Sequence, residues 1–198
     1  MLRRLAAFSL TAIILVGCSS MKPEDFAGRE PKLVLEEYFL GETKAWGIFE
    51  DRFGTLRRSF TVDIVGSWDE EQQLLTLEED FIYDDGETDR RVWRVTKKDE
   101  HNYNGRADDV IGVAEGKIYG PALNWKYDID LKMKDSTLRV TFNDWMFLQD
   151  EETMINRAKV TKWGFLLGEV TIFFRKQAAE ETAVNAAERL VKQASAAE

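Results

Sequence analysis

Between Leu123 and Met133 the side chains alternate without a break: Leu123, Trp125, Tyr127, Ile129, Leu131 and Met133 are apolar, and Asn124, Lys126, Asp128, Asp130 and Lys132 between them are polar. A helix cannot bury one side of such a run, whereas a strand sends successive side chains to opposite faces. The segment is therefore a strand with one buried and one wet face. Phe60, Val62 and Ile64 around Thr61 and Asp63 repeat the pattern, as do Leu138, Val140 and Phe142 around Arg139, Thr141 and Asn143. Chains of this kind fold into many-stranded antiparallel sheets.

Weaker alternation predicts further strands near 44–52, 73–83, 89–97, 101–107, 111–119, 152–161 and 166–175, about ten in all. Asp85-Gly86 reads as a two-residue type I′ hairpin turn, in which both central residues need positive φ. Gly105, Gly112, Gly116, Gly120 and Gly168 read as bulge or corner positions. Many meander strands joined by short turns imply an all-β sandwich or a closed antiparallel β-barrel of about 8–10 strands. The barrel is the expectation, because closure removes the edges that a sheet must otherwise protect. Residues 33–176 would form it. After it, residues 177–198 are rich in Ala, Glu and Gln, with Val184, Ala187, Leu190, Val191 and Ala194 at helical spacing. That spacing predicts a C-terminal helix or a frayed tail.

The first residues carry a different signal. Arg3 and Arg4 precede an apolar run from Leu5 to Val16, and Leu15-Val16-Gly17-Cys18 follows in the form of a bacterial lipobox. The run is too short to span a bilayer, which takes about 20 apolar residues. Residues 1–17 are therefore expected to be a lipoprotein signal peptide that is removed, with Cys18 the site of lipid attachment. The resemblance to bacterial lipoproteins implies that Ser19 after the cysteine, rather than Asp, favours an outer-membrane lipoprotein on the periplasmic face of the cell envelope. Residues 18–32, small, charged and containing Pro, read as a tether. Cys18 is the only cysteine, so disulfides are excluded.

Removing Arg3 and Arg4 leaves 25 basic against 36 acidic residues, a mature charge of −11. That balance disfavours nucleic acid as a partner. With 44% hydrophobic and 12% aromatic residues, about 180 mature residues suit one domain with a sizeable core.

Several segments together carry a family resemblance: the lipobox, Phe49-Glu50-Asp51-Arg52, Phe60-Thr61-Val62-Asp63, the run from Glu79 to Gly86, Arg91-Val92-Trp93, the run from Ala107 to Gly112, Asn143-Asp144-Trp145-Met146, Ile155-Asn156-Arg157 and Gly168-Glu169-Val170. Over about residues 10–176 the chain resembles the DUF3833 family of proteobacterial lipoproteins of unknown function. The resemblance implies a single extracytoplasmic domain with a lipocalin-like barrel and a lipid-related role. Lipocalins carry Gly-x-Trp at the start of their first strand, whereas Gly66-Ser67-Trp68 ends the second strand expected here.

Phe81, Trp93, Trp125, Tyr127, Phe142 and Trp145 lie on aromatic-bearing strands and are candidates to line a cavity for an acyl chain. The competing reading is plain core packing. Arg91, Asp144, Asn156 and Arg157 are candidates for a polar cluster, either structural ion pairs or a site orienting a carboxylate or phosphate head group, to which the guanidinium fork is suited. Asp84, Asp85, Glu87 and Asp89, and the pair Asp108-Asp109, offer oxygens at close spacing. They do not match an EF-hand loop, and turn chemistry accounts for them, so no metal is assigned. His101 is the only histidine and reads as a surface residue in a turn. With no nucleophile elbow, phosphate loop or zinc spacing, no catalytic residue and no cofactor are assigned. The sequence thus favours a non-enzymatic, lipid-anchored envelope protein that binds a hydrophobic ligand such as a fatty acid or phospholipid. Its rivals are an interaction module of the envelope and a lipid-acting enzyme working through Asp80, Asp144 and Arg157.

Overall fold

The computed structural model describes residues 20–133 and 136–177. Ten strands run in order: β1 (Gly41–Asp51), β2 (Leu56–Asp69), β3 (Leu74–Tyr83), β4 (Thr88–Lys97), β5 (Asn102–Arg106), β6 (Val110–Tyr119), β7 (Ala122–Met133), β8 (Ser136–Leu148), β9 (Thr153–Lys162) and β10 (Phe165–Lys176). Each pairs antiparallel with its sequence neighbours, and β1 closes on β10, so the expected all-β antiparallel barrel is found. Closure is made by nine consecutive pairs, from Thr43↔Lys176 to Asp51↔Gly168. The expected signal peptide, Cys18 and the expected C-terminal helix lie outside the described residues, except Gln177. That residue belongs to no helix or strand, and its N–H donates to the Glu42 carbonyl.

Alternation sets what faces inward. Leu123 and Trp125 on β7 are buried, as are Val62 and Ile64 on β2, while their polar neighbours Lys126 and Asp63 face out. One end is closed by a feature with no periodic signal, because it is a single turn: α1 (Leu35–Tyr38). Leu33, Leu35, Tyr38 and Phe39 are buried around it, and Phe39 meets Phe174 edge-on at 5.9 Å. Tyr38 donates to the Glu152 carbonyl at 2.9 Å, and Glu36 is held by Lys97 and by the Tyr103 hydroxyl.

Residues 18–32 are not a free tether in their described part. A 3-10 turn at Pro23–Phe26 places the Phe26 ring 6.1 Å from Trp145 and 5.7 Å from Phe147 on the barrel's outer face, and Glu24 pairs with Lys117. Aromatic burial on an exposed β surface outweighs the polar composition of the stretch.

The turn at Asp85-Gly86 differs from the expected type I′ form. Only Gly86 has positive φ, at 83°, its N–H donates to the Tyr83 carbonyl, and the Tyr83 N–H donates to the Glu87 carbonyl. This is a three-residue connection ending in a left-handed glycine, which spares Asp85 a strained backbone. Gly112 and Gly168 do stand at register shifts in β6 and β10. Gly105 and Gly116, expected as bulges or corners, instead leave room for the Trp125 indole: a Cβ would lie 2.4 Å from it at Gly105 and 1.9 Å at Gly116.

β5 is short, so β4 has ladder partners on that side only from Arg94 to Lys97. Among the described residues, Thr88–Trp93 have none there. The Arg91–Asp109 ion pair bridges this break from β4 to the turn before β6.

Gly116→Ala is expected to destabilise the barrel by about 1–3 kcal/mol, because Trp125 must leave its place. Gly66→Ala is expected to do the same by pushing on the Phe39 carbonyl, 1.8 Å from the added Cβ. The midpoint of urea unfolding checks both.

Candidate ligand cavity

Ten strands enclose more space than about eight, which inward side chains can just fill. The remainder here is a cavity of about 420 Å³. Its floor is α1 and the residue after it, through Leu35 and Phe39. On the β7–β10 side the far end is packed by Ile129, Val140 and Val160. Lining residues that stay partly exposed include Phe60, Phe81, Tyr83 and Arg91 on β2–β4 and Tyr127, Leu131, Leu138 and Phe142 on β7–β8.

Five of the six aromatic candidates line it: Phe81, Trp93, Trp125, Tyr127 and Phe142. Four form one wall, with Trp93 edge-on to Trp125 at 6.0 Å and to Tyr127 at 5.4 Å, and Tyr127 stacked on Phe142 at 5.2 Å. Trp145 does not take part. It follows Asp144, which faces inward, so it points outward and packs on Phe26 and Phe147. An alternation count from Leu138 to Asp144 predicts that orientation.

The polar candidates divide in the same way. Arg91, Asp144 and Asn156 line the cavity, whereas Arg157 faces out and pairs with Glu169. Asp80, too, faces out and pairs with Arg90. A site built from Asp80, Asp144 and Arg157 would therefore straddle the barrel wall. Sequence reading missed Glu79 and Arg58, which also line the cavity. The signal for Glu79 was its parity with Leu77 and Phe81.

Both arginines are engaged by acids of the turns. Arg91 bonds Asp109 through Nε and Nη2 at 2.8–3.2 Å. Arg58 bonds Asp85 and Glu87 and sits 3.5 Å above the Tyr83 ring centroid. These pairings account for the acidic turns, and among the described residues no group of three potential metal ligands forms. His101 stacks on Tyr119 at 4.0 Å, with its Nδ1 3.0 Å from the Ile118 carbonyl oxygen.

The carboxylates inside are less well provided for. Asp144 is 6% exposed and takes one side-chain hydrogen bond, from Asn156 Nδ2. Burial pushes its pKa up to about 7, and the bond from Asn156 only partly opposes this. Burial likewise pushes Glu79 up to about 7. Arg91, its partner in the β3–β4 register, pulls the other way, and Asp109 and Asp144 add to the rise. Arg91 keeps its charge against burial because Glu79 and Asp109 face it, and burial holds the Tyr127 hydroxyl neutral.

A carboxyl whose pKa rises on folding stabilises the fold fully below its unfolded pKa and loses that contribution as pH rises through the folded value. For Asp144 the window runs from about pH 4 to about pH 7, with an amplitude on the order of 4 kcal/mol. The urea midpoint is expected to fall between pH 5 and pH 8. Asp144→Asn should reduce that fall and be the more stable protein at pH 8. An unchanged fall would show that Asp144 ionises as freely folded as unfolded.

The profile of the family described as "Protein of unknown function (DUF3833)" matches residues 12–176. No curated protein sequence matches the chain. Among solved structures, Rv2717c from M. tuberculosis is similar with a TM-score of 0.53 and 11% identity, over 74% of this chain and 99% of that one. An S-type phycobiliprotein lyase from Guillardia theta gives a TM-score of 0.50 and 10% identity, over 72% and 91%. At such identities these likenesses establish a shared lipocalin-like barrel fold and nothing finer. With more than half its length matched by the family profile, the chain belongs to the DUF3833 family.

Proposed function

We propose that this protein is a lipid-anchored component of the cell envelope that binds a hydrophobic ligand of the lipid class, a fatty acid or phospholipid chain, inside its barrel. The observation that carries the reading is the cavity. Its volume of about 420 Å³ lies within the range of small-molecule sites, roughly 300–1,000 Å³, and its walls are aromatic and aliphatic with a few placed polar groups. Dispersion and burial against the Trp93–Trp125–Tyr127–Phe142 wall suit a flexible acyl chain. The barrel shared with the phycobiliprotein lyase is in keeping with a scaffold that handles other molecules.

Lipid on Cys18 would hold the domain at the periplasmic face of the outer membrane, beside a supply of such ligands. One acyl chain anchors only marginally, and lipoprotein processing adds more than one. The chain docks on the barrel from Glu24 onward, so the anchor would leave only a few residues between membrane and domain.

Protein purified from its own envelope is expected to release lipid on organic extraction and to show a lipid-shifted mass in native mass spectrometry. Ala158→Phe, which projects into the cavity from a buried position on β9, should lose that lipid while keeping a native circular dichroism spectrum. Wild-type protein that carries no lipid and takes up no hydrophobic fluorophore would overturn the reading. Separately, Cys18→Ser is expected to move the protein from the membrane to the soluble periplasmic fraction. Retention on the membrane would remove the anchor from the proposal.

A further inference from the structure

Hydrogen-bonding capacity is unevenly distributed over the cavity wall. Arg91 is committed to Asp109, and Arg58 Nη2 to Asp85 and Glu87 at the rim, with one buried N–H, at Arg58 Nε, left without a partner. Among the most deeply buried lining groups it is acceptors that lack donors. Asn156 is 1% exposed and lines the cavity, and its Oδ1 has no hydrogen-bond partner. An orphaned buried oxygen costs about 1–3 kcal/mol unless something donates to it. Beside it, Asp144 receives only the bond from Asn156, and Glu79 receives no hydrogen bond at all in the described structure. An alkyl carboxylate entering here would add a third carboxyl beside Glu79 and Asp144, and Arg91, which faces Glu79, is already paired with Asp109. A protonated amine brings three N–H donors and a positive charge, and no acceptor.

We propose that the cavity selects amphiphiles whose polar end is a protonated amine, seated against Asp144, Asn156 Oδ1 and Glu79, with the hydrocarbon chain along the Trp125–Tyr127–Phe142 wall. This rests on the barrel being a lipid-binding cavity, and of the two ligand kinds proposed above it favours an amine-headed phospholipid over a free fatty acid. The charged neighbours set the pH response. Tyr127 stays neutral, Arg91 and Asp109 stay paired with each other, and Arg58 stays with Asp85 and Glu87. Glu79 and Asp144 are then the cavity groups whose charge changes near neutrality. Amine affinity should therefore rise from pH 5 to pH 8 as the two carboxyls ionise, and carboxylate affinity should fall.

The test uses full-length mature protein and the uncharged fluorophore N-phenyl-1-naphthylamine, displaced by dodecylamine, dodecanol or dodecanoate. At pH 8 dodecylamine is expected to displace the probe at least about tenfold better than dodecanoate, with dodecanol between them. That preference should shrink at pH 5. Glu79→Gln and Asp144→Asn should each lose most of the amine preference, read as the ratio of dodecylamine to dodecanoate displacement, while still taking up the neutral probe. If one variant does not fold, the other and the pH series still decide. Probe uptake with dodecanoate equal to or better than dodecylamine at pH 8 overturns the amine proposal and leaves the lipid-binding cavity standing. Failure of the neutral probe to enter at all overturns both.

Discussion

The pairing of β1 with β10 is the interaction on which the rest of the structure depends. Nine residue pairs turn a ten-strand meander into a closed cylinder, and without them both strands would present open edges to solvent. Closure also gives every strand an inside and an outside, and the single-residue alternation then decides each side chain's fate. That rule sends Asp144 into the cavity and Trp145 onto the outer surface, where Phe26 covers it.

Closure over ten strands leaves a wider interior than the aromatic side chains fill. α1 and Phe39 occupy one end, Ile129, Val140 and Val160 pack part of the other, and the space between them stays open. Glycines at 105 and 116 let the Trp125 indole lie close against the wall rather than across the lumen. Cavity and close packing thus arise together, from where bulk is placed and where it is withheld. The short β5 adds a local weakness in the wall, which the Arg91–Asp109 pair spans.

Into this apolar space the fold brings Asp144, Asn156 and Glu79 without a full set of partners. Acids in such surroundings resist ionisation, so the interior weakens the fold as pH rises toward and past neutrality. Structures keep buried polar groups of this kind at a cost in stability, and ligand sites are where that cost is most often met. The surface acids behave differently: Asp85, Glu87 and Asp109 are engaged by Arg58 and Arg91 at the rim.

Much of the architecture was legible in the sequence. All ten strands could be located, because period-two alternation is a local property that any window of residues displays. Five of the lining aromatics could be named for the same reason, although Phe39, Phe49, Phe60, Tyr83 and Phe174 were not, and Trp145, one residue out of step with Asp144, was misplaced. The expected leader and lipid site at Cys18 rest likewise on a local pattern of residues, which needs no fold to be read. What the sequence could not decide was whether the interior is full or hollow. That depends on strand number and barrel radius, and on a single helical turn too short to have a period. Nor could it pair Arg91 with Asp109, or leave Asn156 Oδ1 without a donor, because those relations are set by how side chains meet between strands and turns once the barrel has formed. The sequence by itself determined which residues face inward; the tertiary structure decided what they meet there, since only closure sets the distance across the lumen.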